Sequence, residues 1–351
     1  MKPSVTLKVR VLHSLAELRE ISSEWRELFE HSHAAAFQSP DWLLPWIEVF
    51  APEKITAVEV RCGERLVGLA PFLIYRREAE RVLAFMGGGV SDYLDVLIDP
   101  KFQAEIMSQI IATVCGLQDD WTVLDLTDLP AQSPLLRLVL LKREAREHDS
   151  CSVLCLPDSK DQLLHLFSKR QRASLRNARS RLQRAGGGEI ELATAQNVSE
   201  FLPDLFRLHT SRWSERGQPG VLSDPRTLKF HRSCAAGLFD SGLLRLSRLR
   251  LHGKTLAVIY SLFAHETAFC YLQGFDPEFA WLSPGTQLMY QVIGDALDHG
   301  IRRFDFLRGN EDYKQHWRPE SQPTYRIRLA RSSLSPRWQN FRELPTFMPP
   351  S

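Results

Sequence analysis

Three stretches of this 351-residue chain bring together residue types that can do chemistry. The densest is GNEDYKQHW, which begins at Gly309 and follows the run Phe304-Asp305-Phe306. In it Glu311 would serve as a general base if desolvation raised its pKa, Tyr313 as an acid, and Lys314 as a holder of a phosphate or an oxyanion. Strand alternation sets Asp305 on the opposite face from both phenylalanines, where a shielded carboxylate needs a partner. Arg303 and Arg308 offer it a structural ion pair, and a site residue is an equal reading. The second stretch is SPGTQL. Ser283 suits a helix N-cap, Pro284 the first turn, and Gly285 a close approach of ligand to backbone. The open N–H groups of such a turn, continued by Thr286 and Gln287, favour an anion such as a pyrophosphate. A plain capped helix is the simpler reading. The third, LHTSRWSERGQPG, sets His209, Arg212 and Trp213 on adjacent helical turns, where they either line a pocket or pack the helix end. Tyr271, Gln273 and Asp276 in YLQGFDP, and Tyr93 after Gly87-Gly88-Gly89, are further candidate substrate contacts.

Other chemistries lose ground. The chain has no GxSxG elbow, no GxxxxGK[ST] loop and no HExxH, so serine-hydrolase, P-loop and metalloprotease mechanisms are disfavoured. Six cysteines, of which only Cys151 and Cys155 lie close, build neither a disulfide framework nor a zinc site. Lys plus Arg is 44 against 42 for Asp plus Glu, so any basic partner surface must be local. Lys8 and Arg10 interrupt what a signal peptide would need, and Thr255 to Ala264 is half a membrane span. The expectation is a soluble, cytoplasmic protein.

The elements that carry these residues occur twice. RCGERLVGLAPFL, from Arg61, aligns with LHGKTLAVIYSLF, from Leu251, by placing Gly63 on Gly253. Each reads as a hairpin turning on glycine into a buried strand. A further strand follows each (Arg81 to Phe85; Thr267 to Leu272), then a helix (about Phe102 to Leu117; Gly285 to His299). The next strand carries Asp125 in one copy and Asp305 in the other. Helices open both halves, at Leu15 to Phe29 and at Val198 to Trp213, the second followed by one near Thr227 to Phe239. This order predicts two α+β domains with helices on both sheet faces. Between them Lys169 to Arg184 holds seven basic residues and no acid. Leu175, Ala178, Leu182 and Ala185 fall at helical spacing within it, and Gly186-Gly187-Gly188 stops it: a basic amphipathic helix.

Taken together, the H-x-x-R-W run from His209, YLQGFDPEFAWLSPGTQL and FDFLRGNEDYKQHW resemble the GNAT-superfamily acyltransferases of the CelD-like type, relatives of the FemAB peptidyltransferases. FQSPDWLLPWIEVF, GERLVGLAPF and SDYLDVLI look like that family's amino-terminal copy, and SKRQRASLRNARSRLQRAGG resembles its basic central helix. The resemblance implies two tandem GNAT-like domains, each a mixed, mostly antiparallel sheet with helices on both faces. They would occupy 1–155 and 189–335, with a basic linker helix at 156–188 and a tail at 336–351. It also implies acyl transfer from acyl-CoA, a co-substrate and not a resident cofactor, to an amine acceptor such as a long-chain or sugar amine in envelope lipid or polysaccharide metabolism. The second domain would be catalytic, the first helping to enclose the substrate. Mapped on this chain, Ser283, Gly285, Thr286 and Gln287 would face the CoA pyrophosphate, and Asp305, Glu311, Tyr313 and Lys314 would surround the transfer point. His209, Arg212, Trp213, Tyr271, Gln273, Asp276 and Tyr93 would contact substrate. At the place where that family carries the pyrophosphate signature [RQ]xxGx[GA], this chain has Ser283-Pro284-Gly285 instead. The alternatives are an aminoacyl-tRNA-dependent FemAB-type transferase and a non-catalytic scaffold with a degenerate pocket. Lys169 to Arg184 would then meet an anionic membrane surface, placing the protein at the periphery of the inner membrane, or tRNA phosphates, or only solvent.

Overall fold

Strand order, not helix content, distinguishes the two halves. The computed structural model describes residues 6–333 apart from 118–119, 216, 218–219 and 310, and leaves out the side chains of 139, 140, 212, 214, 215 and 333. The expected tail at 336–351 therefore lies outside the described residues. The chain divides into two compact units: one runs to Asp149 and resumes at Pro323, and the other is Ser150–Gln322.

In the first unit, β1 (Leu7–Leu12) precedes α1 (Leu15–Glu20), α2 (Ser22–His31) and α3 (Pro40–Phe50). The apolar rhythm from Leu15 predicts a single helix, but the backbone turns out of helical geometry at Ile21 (φ −91°, ψ 5°). Leu18, Trp25 and Leu28 are buried on either side of that break. The strands β2 (Lys54–Ile55), β3 (Ala57–Cys62), β4 (Arg65–Ala70), β5 (Phe72–Arg77), β6 (Glu80–Phe85) and β7 (Leu97–Ile98) follow. Pro71 separates β4 from β5. With no N–H to give a ladder, it marks where the chain leaves the sheet β1-β3-β4-β7 for a second one containing β5. Helix α4 (Gln103–Gly116), strand β8 (Val123–Pro130) and α5 (Val139–Glu144) complete the half. Strand β8 lies parallel to β6, with Val82 opposite Val123.

Strand β9 (Ala145–Cys155) carries the chain into the second unit. There α6 (Lys160–His165), α7 (Lys169–Arg184), β10 (Glu189–Leu192), α8 (Val198–Glu215) and α9 (Pro225–Asp240) precede a hairpin of β11 (Leu244–Leu251) and β12 (Lys254–Ala264). Then come β13 (Thr267–Phe275), α10 (Pro284–Asp298), β14 (Arg303–Arg308) and the short α11 (Asp312–Gln315). The strand order is β10-β11-β12-β13-β14-β9, antiparallel throughout except that β13 and β14 run parallel. The same hairpin, strand, helix and parallel strand thus recur in each half, as the alignment of Gly63 with Gly253 predicts.

Each half is closed by a strand that sequence order assigns elsewhere. Strand β15 (Glu320–Ala330) returns to the first unit and pairs with β8, whereas the end of β9 pairs with β14 in the second. The sequence boundaries place residues 323–330 in the second domain and 150–155 in the first. Spatially the two segments are exchanged. Linear order does not encode which sheet edge a strand fills, which is why the boundaries drawn from the repeat miss it. In the first unit, β15 brings Arg326 onto Asp125, bidentate at 2.7 Å through both oxygens. Burial alone would raise the Asp125 carboxyl, but Arg326 and then Arg77 outweigh it and hold it below the usual carboxylate range.

In the second unit α10 covers one sheet face and α8 and α9 the other. Ala257, Ile259, Ala268 and Cys270 pack with Leu288, Met289 and Val292 of α10 in one apolar cluster. On the other face α8 crosses β13 at Gly274, where a Cβ would sit 2.6 Å from the His209 nitrogen and 2.7 Å from the Leu208 carbonyl carbon. These are backbone atoms and cannot swing away. Gly274→Ala is therefore expected to destabilise the protein by about 1–3 kcal/mol, the usual cost of overpacking. A urea midpoint equal to wild type would show that the helix does not depend on this close approach.

Candidate active site

Strands β13 and β14 pair over only three residues each: Thr267 with Arg303, Ala268 with Phe304 and Phe269 with Asp305. Beyond that point β13 runs on to Phe275 and β14 to Arg308 without further pairing, so the two parallel strands diverge. Both break register here. On β13 the ladder to β12 skips Tyr271, passing from Ser261 opposite Cys270 to Tyr260 opposite Leu272. On β14 the ladder to β9 jumps from Asp305 opposite Val153 to Arg308 opposite Cys151. A bulge frees backbone groups from the ladder and re-aims the chain.

The β14 bulge places Leu307 at φ 61°, a left-handed conformation unfavourable for a side chain branched beyond Cβ. Two of the expected catalytic residues hold it. Asp305, 1% exposed, accepts the Leu307 N–H on Oδ1 at 2.8 Å. Lys314, also 1% exposed, donates from Nζ to the carbonyls of Leu307 (3.0 Å), Arg308 and Gly309 (3.1 Å), and pairs with Glu311 at 2.9 Å. The sequence reading points the Lys314 ammonium at a phosphate or an oxyanion; in the structure three peptide carbonyls and one carboxylate surround it. Arg303, proposed as an ion partner for Asp305, donates instead to the Gln322 amide at 2.7 Å. Tyr313 packs edge-on to Phe306, its ring centroid 6.4 Å away.

Across the gap lies the start of α10. Ser283 is at the N-cap position but adopts a left-handed backbone (φ 54°, ψ 48°) and makes no side-chain cap, unlike the expectation. Its hydroxyl is turned to Arg181 of α7 at 3.3 Å, and the same guanidinium donates to the Trp281 carbonyl at 2.7 Å. Pro284 has no N–H, and Gln287 N bonds to Ser283 O, so the first-turn N–H groups of Gly285 and Thr286 lack intrahelical acceptors. The Gln287 side chain donates to the carbonyls of Ala178 (3.2 Å) and Leu282 (2.8 Å), tying α10 to α7. At its other end α7 is tied to the β14 loop, through Gln171 Nε2 to the His316 carbonyl at 2.7 Å. The basic helix expected as an inter-domain linker is thus bonded to both segments that flank the diverging strands, and Arg181, which the sequence shows only as one cation among seven, is a further candidate.

The remaining candidates separate. His209 and Trp213 of α8 hydrogen-bond to each other, Trp213 Nε1 donating to His209 Nε2 at 3.0 Å. Tyr271 stacks within 5.4 Å of His231 and 5.7 Å of Tyr260, two residues sequence reasoning passed over because both sit on apolar faces. Gln273 lies on β13 opposite Ile259. Asp276 caps the turn Pro277–Leu282, accepting Glu278 N at 3.1 Å, and pairs with Lys254 at 2.9 Å. The Arg212 side chain lies outside the described residues, and Tyr93 is buried in the other unit.

Two expectations follow. Lys314→Ala strands a carboxylate and three carbonyls and should cost about 3–5 kcal/mol, whereas Asp305→Asn keeps an oxygen for Leu307 N–H and should cost less than Asp305→Ala. Chemical denaturation of the three variants checks this ranking; a Lys314→Ala protein as stable as wild type would remove the clamp from the argument. Burial, and secondarily the neighbouring His209, pushes the His231 imidazolium from 6.5 down to about 3. A depressed folded pKa adds stability that is whole above pH 6.5 and is lost as pH falls from there toward 3. From pH 7 to pH 5 that loss amounts to about 2 kcal/mol. His231→Phe should flatten the slope between these pH values, and an unchanged slope would assign it to other groups.

Known proteins can now be set beside this geometry. Residues 169–315 match a family model described as an acetyltransferase (GNAT) domain, a match that begins at α7. No curated protein matches the chain. Among solved structures, FemX is 12% identical with a TM-score of 0.65, covering 88% of this chain and 96% of its own. The C-terminal domain of a putative lysylphosphatidylglycerol synthetase from Agrobacterium fabrum is 12% identical at a TM-score of 0.54, covering 93% and 95%. A tandem GNAT protein from the clavulanic acid biosynthesis pathway is 14% identical at 0.51, covering 94% and 100%. Identities this low speak for the fold alone. In its two repeated units and its diverging parallel strands, the chain has the tandem GNAT fold, with the GNAT acetyltransferase match centred on the second unit.

Proposed function

We propose that this protein is an N-acyltransferase that moves an acyl group from acyl-CoA to an amine acceptor, in the setting of envelope lipid or polysaccharide metabolism. The observation that carries the reading is the divergence of β13 from β14 beyond Phe269 and Asp305, with the start of α10 following the end of β13. A thioester lying against the diverging strands would need fixed donors for the oxygen that becomes negative during transfer, and main-chain N–H groups beside them would supply these. The pyrophosphate of CoA would lie against the open N–H groups of Gly285 and Thr286, with Arg181 beside them.

The reaction then needs little else. The amine attacks the thioester carbonyl, a C–N bond forms and the C–S bond breaks. Glu311 takes the ammonium proton and Tyr313 gives one to the leaving thiolate. Asp305 and Lys314 act through the backbone by holding the Leu307 turn, which sets where Glu311 and Tyr313 stand. A second reading, an aminoacyl-tRNA donor, draws support from Ser283-Pro284-Gly285 standing where [RQ]xxGx[GA] would be and from the arginines of α7 alongside.

Thermal melting against acetyl-CoA, a long-chain acyl-CoA and free CoA tests the first reading. Ligand at a hundredfold over its dissociation constant should add about 2.7 kcal/mol, and Arg181→Ala should weaken the shift. A melt that no thioester moves sinks the acyl-CoA reading, and tRNA binding in its place would establish the second.

A further inference from the structure

The outward face of α7 carries charge of one sign. Lys169, Arg170, Arg176, Arg179 and Arg184 are exposed along a helix of 16 residues, about 24 Å long. Several arginines elsewhere meet carboxylates: Arg26 with Asp41, Arg248 with Glu191, Arg302 with Asp158, Arg326 with Asp125. On α7, among the described residues, none of the seven cations has an acidic partner, and like charges three and four residues apart repel one another. The helix is held down by its other face, through Ala178, Leu182 and the hydrogen bonds of Gln171 and Arg181, so its charged face has a fixed orientation.

Apolar side chains stand exposed at both ends of this face. Trp281, whose carbonyl is bound by Arg181 near the helix end, is 57% exposed. Leu164 and Leu166, each 37% exposed, lead into the helix start at Ser168. A row of arginines flanked by an exposed tryptophan and leucines matches the water–lipid boundary, where cations meet headgroup phosphates while indole and aliphatic groups enter the acyl edge. Nucleic acid would use the arginines and could stack on the tryptophan, but gives the leucines nothing to bury against. No described helix is long and apolar enough to cross a membrane, so contact would be at the surface.

We infer that α7, with Trp281, Leu164 and Leu166, docks this protein on an anionic membrane surface. The inference stands apart from the transfer chemistry, since CoA binding and vesicle binding are read separately. Flotation of the full chain with vesicles of phosphatidylcholine plus phosphatidylglycerol, against phosphatidylcholine alone, tests it. Binding is expected only to the anionic vesicles and should vanish at about 1 M salt, where the Debye length is about 3 Å. R176E/R179E should weaken it by roughly tenfold or more, and Trp281→Ala by a smaller factor. If that double variant fails to fold, K169E/R170E reads the same face. No flotation at low salt overturns the inference, as does flotation that neither double variant weakens. Binding of bulk tRNA that these variants abolish, with no vesicle binding, overturns it in favour of RNA.

Discussion

The second unit turns on one unfavourable peptide. Leu307 stands at φ 61°, and the structure meets that cost from both sides, Asp305 accepting its N–H and Lys314 donating to its carbonyl. The first unit makes a like bulge on β8, one position further from its aspartate: the ladder to β15 passes from Leu126 to Leu129, and Asp128, three residues after Asp125, has φ 61°. Aspartate tolerates this conformation far better than leucine. Asp125, which the repeat sets against Asp305, stands just before that bulge and binds Arg326. One backbone device thus appears twice with two different supports. In the second unit a buried carboxylate and a buried ammonium hold it, and that ammonium pairs with Glu311 beside the strand end.

That constraint spreads through α7. Lys314 fixes the carbonyls of residues 307–309, the chain continues into α11, and the His316 carbonyl is bound by Gln171. The same helix reaches the start of α10 through Gln287 and Arg181. A single helix therefore spans the two loops that flank the diverging strands, and it is rigid for ordinary reasons. Ser168 and Gln171 form a reciprocal capping box at its start, and Gly186 and Gly187, at φ 121° and 73°, end it. The separation of the two loops is set by α7 as much as by the sheet.

Much of this is legible in the sequence. The glycine hairpins, the repeated order of strand, helix and strand, and both ends of the basic helix follow from periodicity and punctuation, which are local signals. What escapes is what depends on partners. The exchange of β9 and β15 is a matter of which edge a strand joins, and no alternation pattern carries that. Asp305 and Lys314 announce themselves as chemistry-bearing residues, yet their service to the Leu307 backbone can be seen only once that residue's left-handed conformation is known. His231 is harder still: in the sequence it is a single polar residue on an apolar helix face, and only its burial beside Tyr260 and Tyr271 makes it a titrating group of consequence.

The same contrast bears on how such a site works. Side chains drew attention first because residue type is what a sequence displays, but several of the most conspicuous ones are spent on backbone. Asp276 caps a turn, Gln287 ties helices, and Asp305 and Lys314 hold a bulge. What they leave open are the first-turn N–H groups of α10. Fixed peptide dipoles need no reorganisation when charge develops, provided the chain cannot relax around them. A lysine buried among three carbonyls lends the β14 loop that rigidity through its backbone.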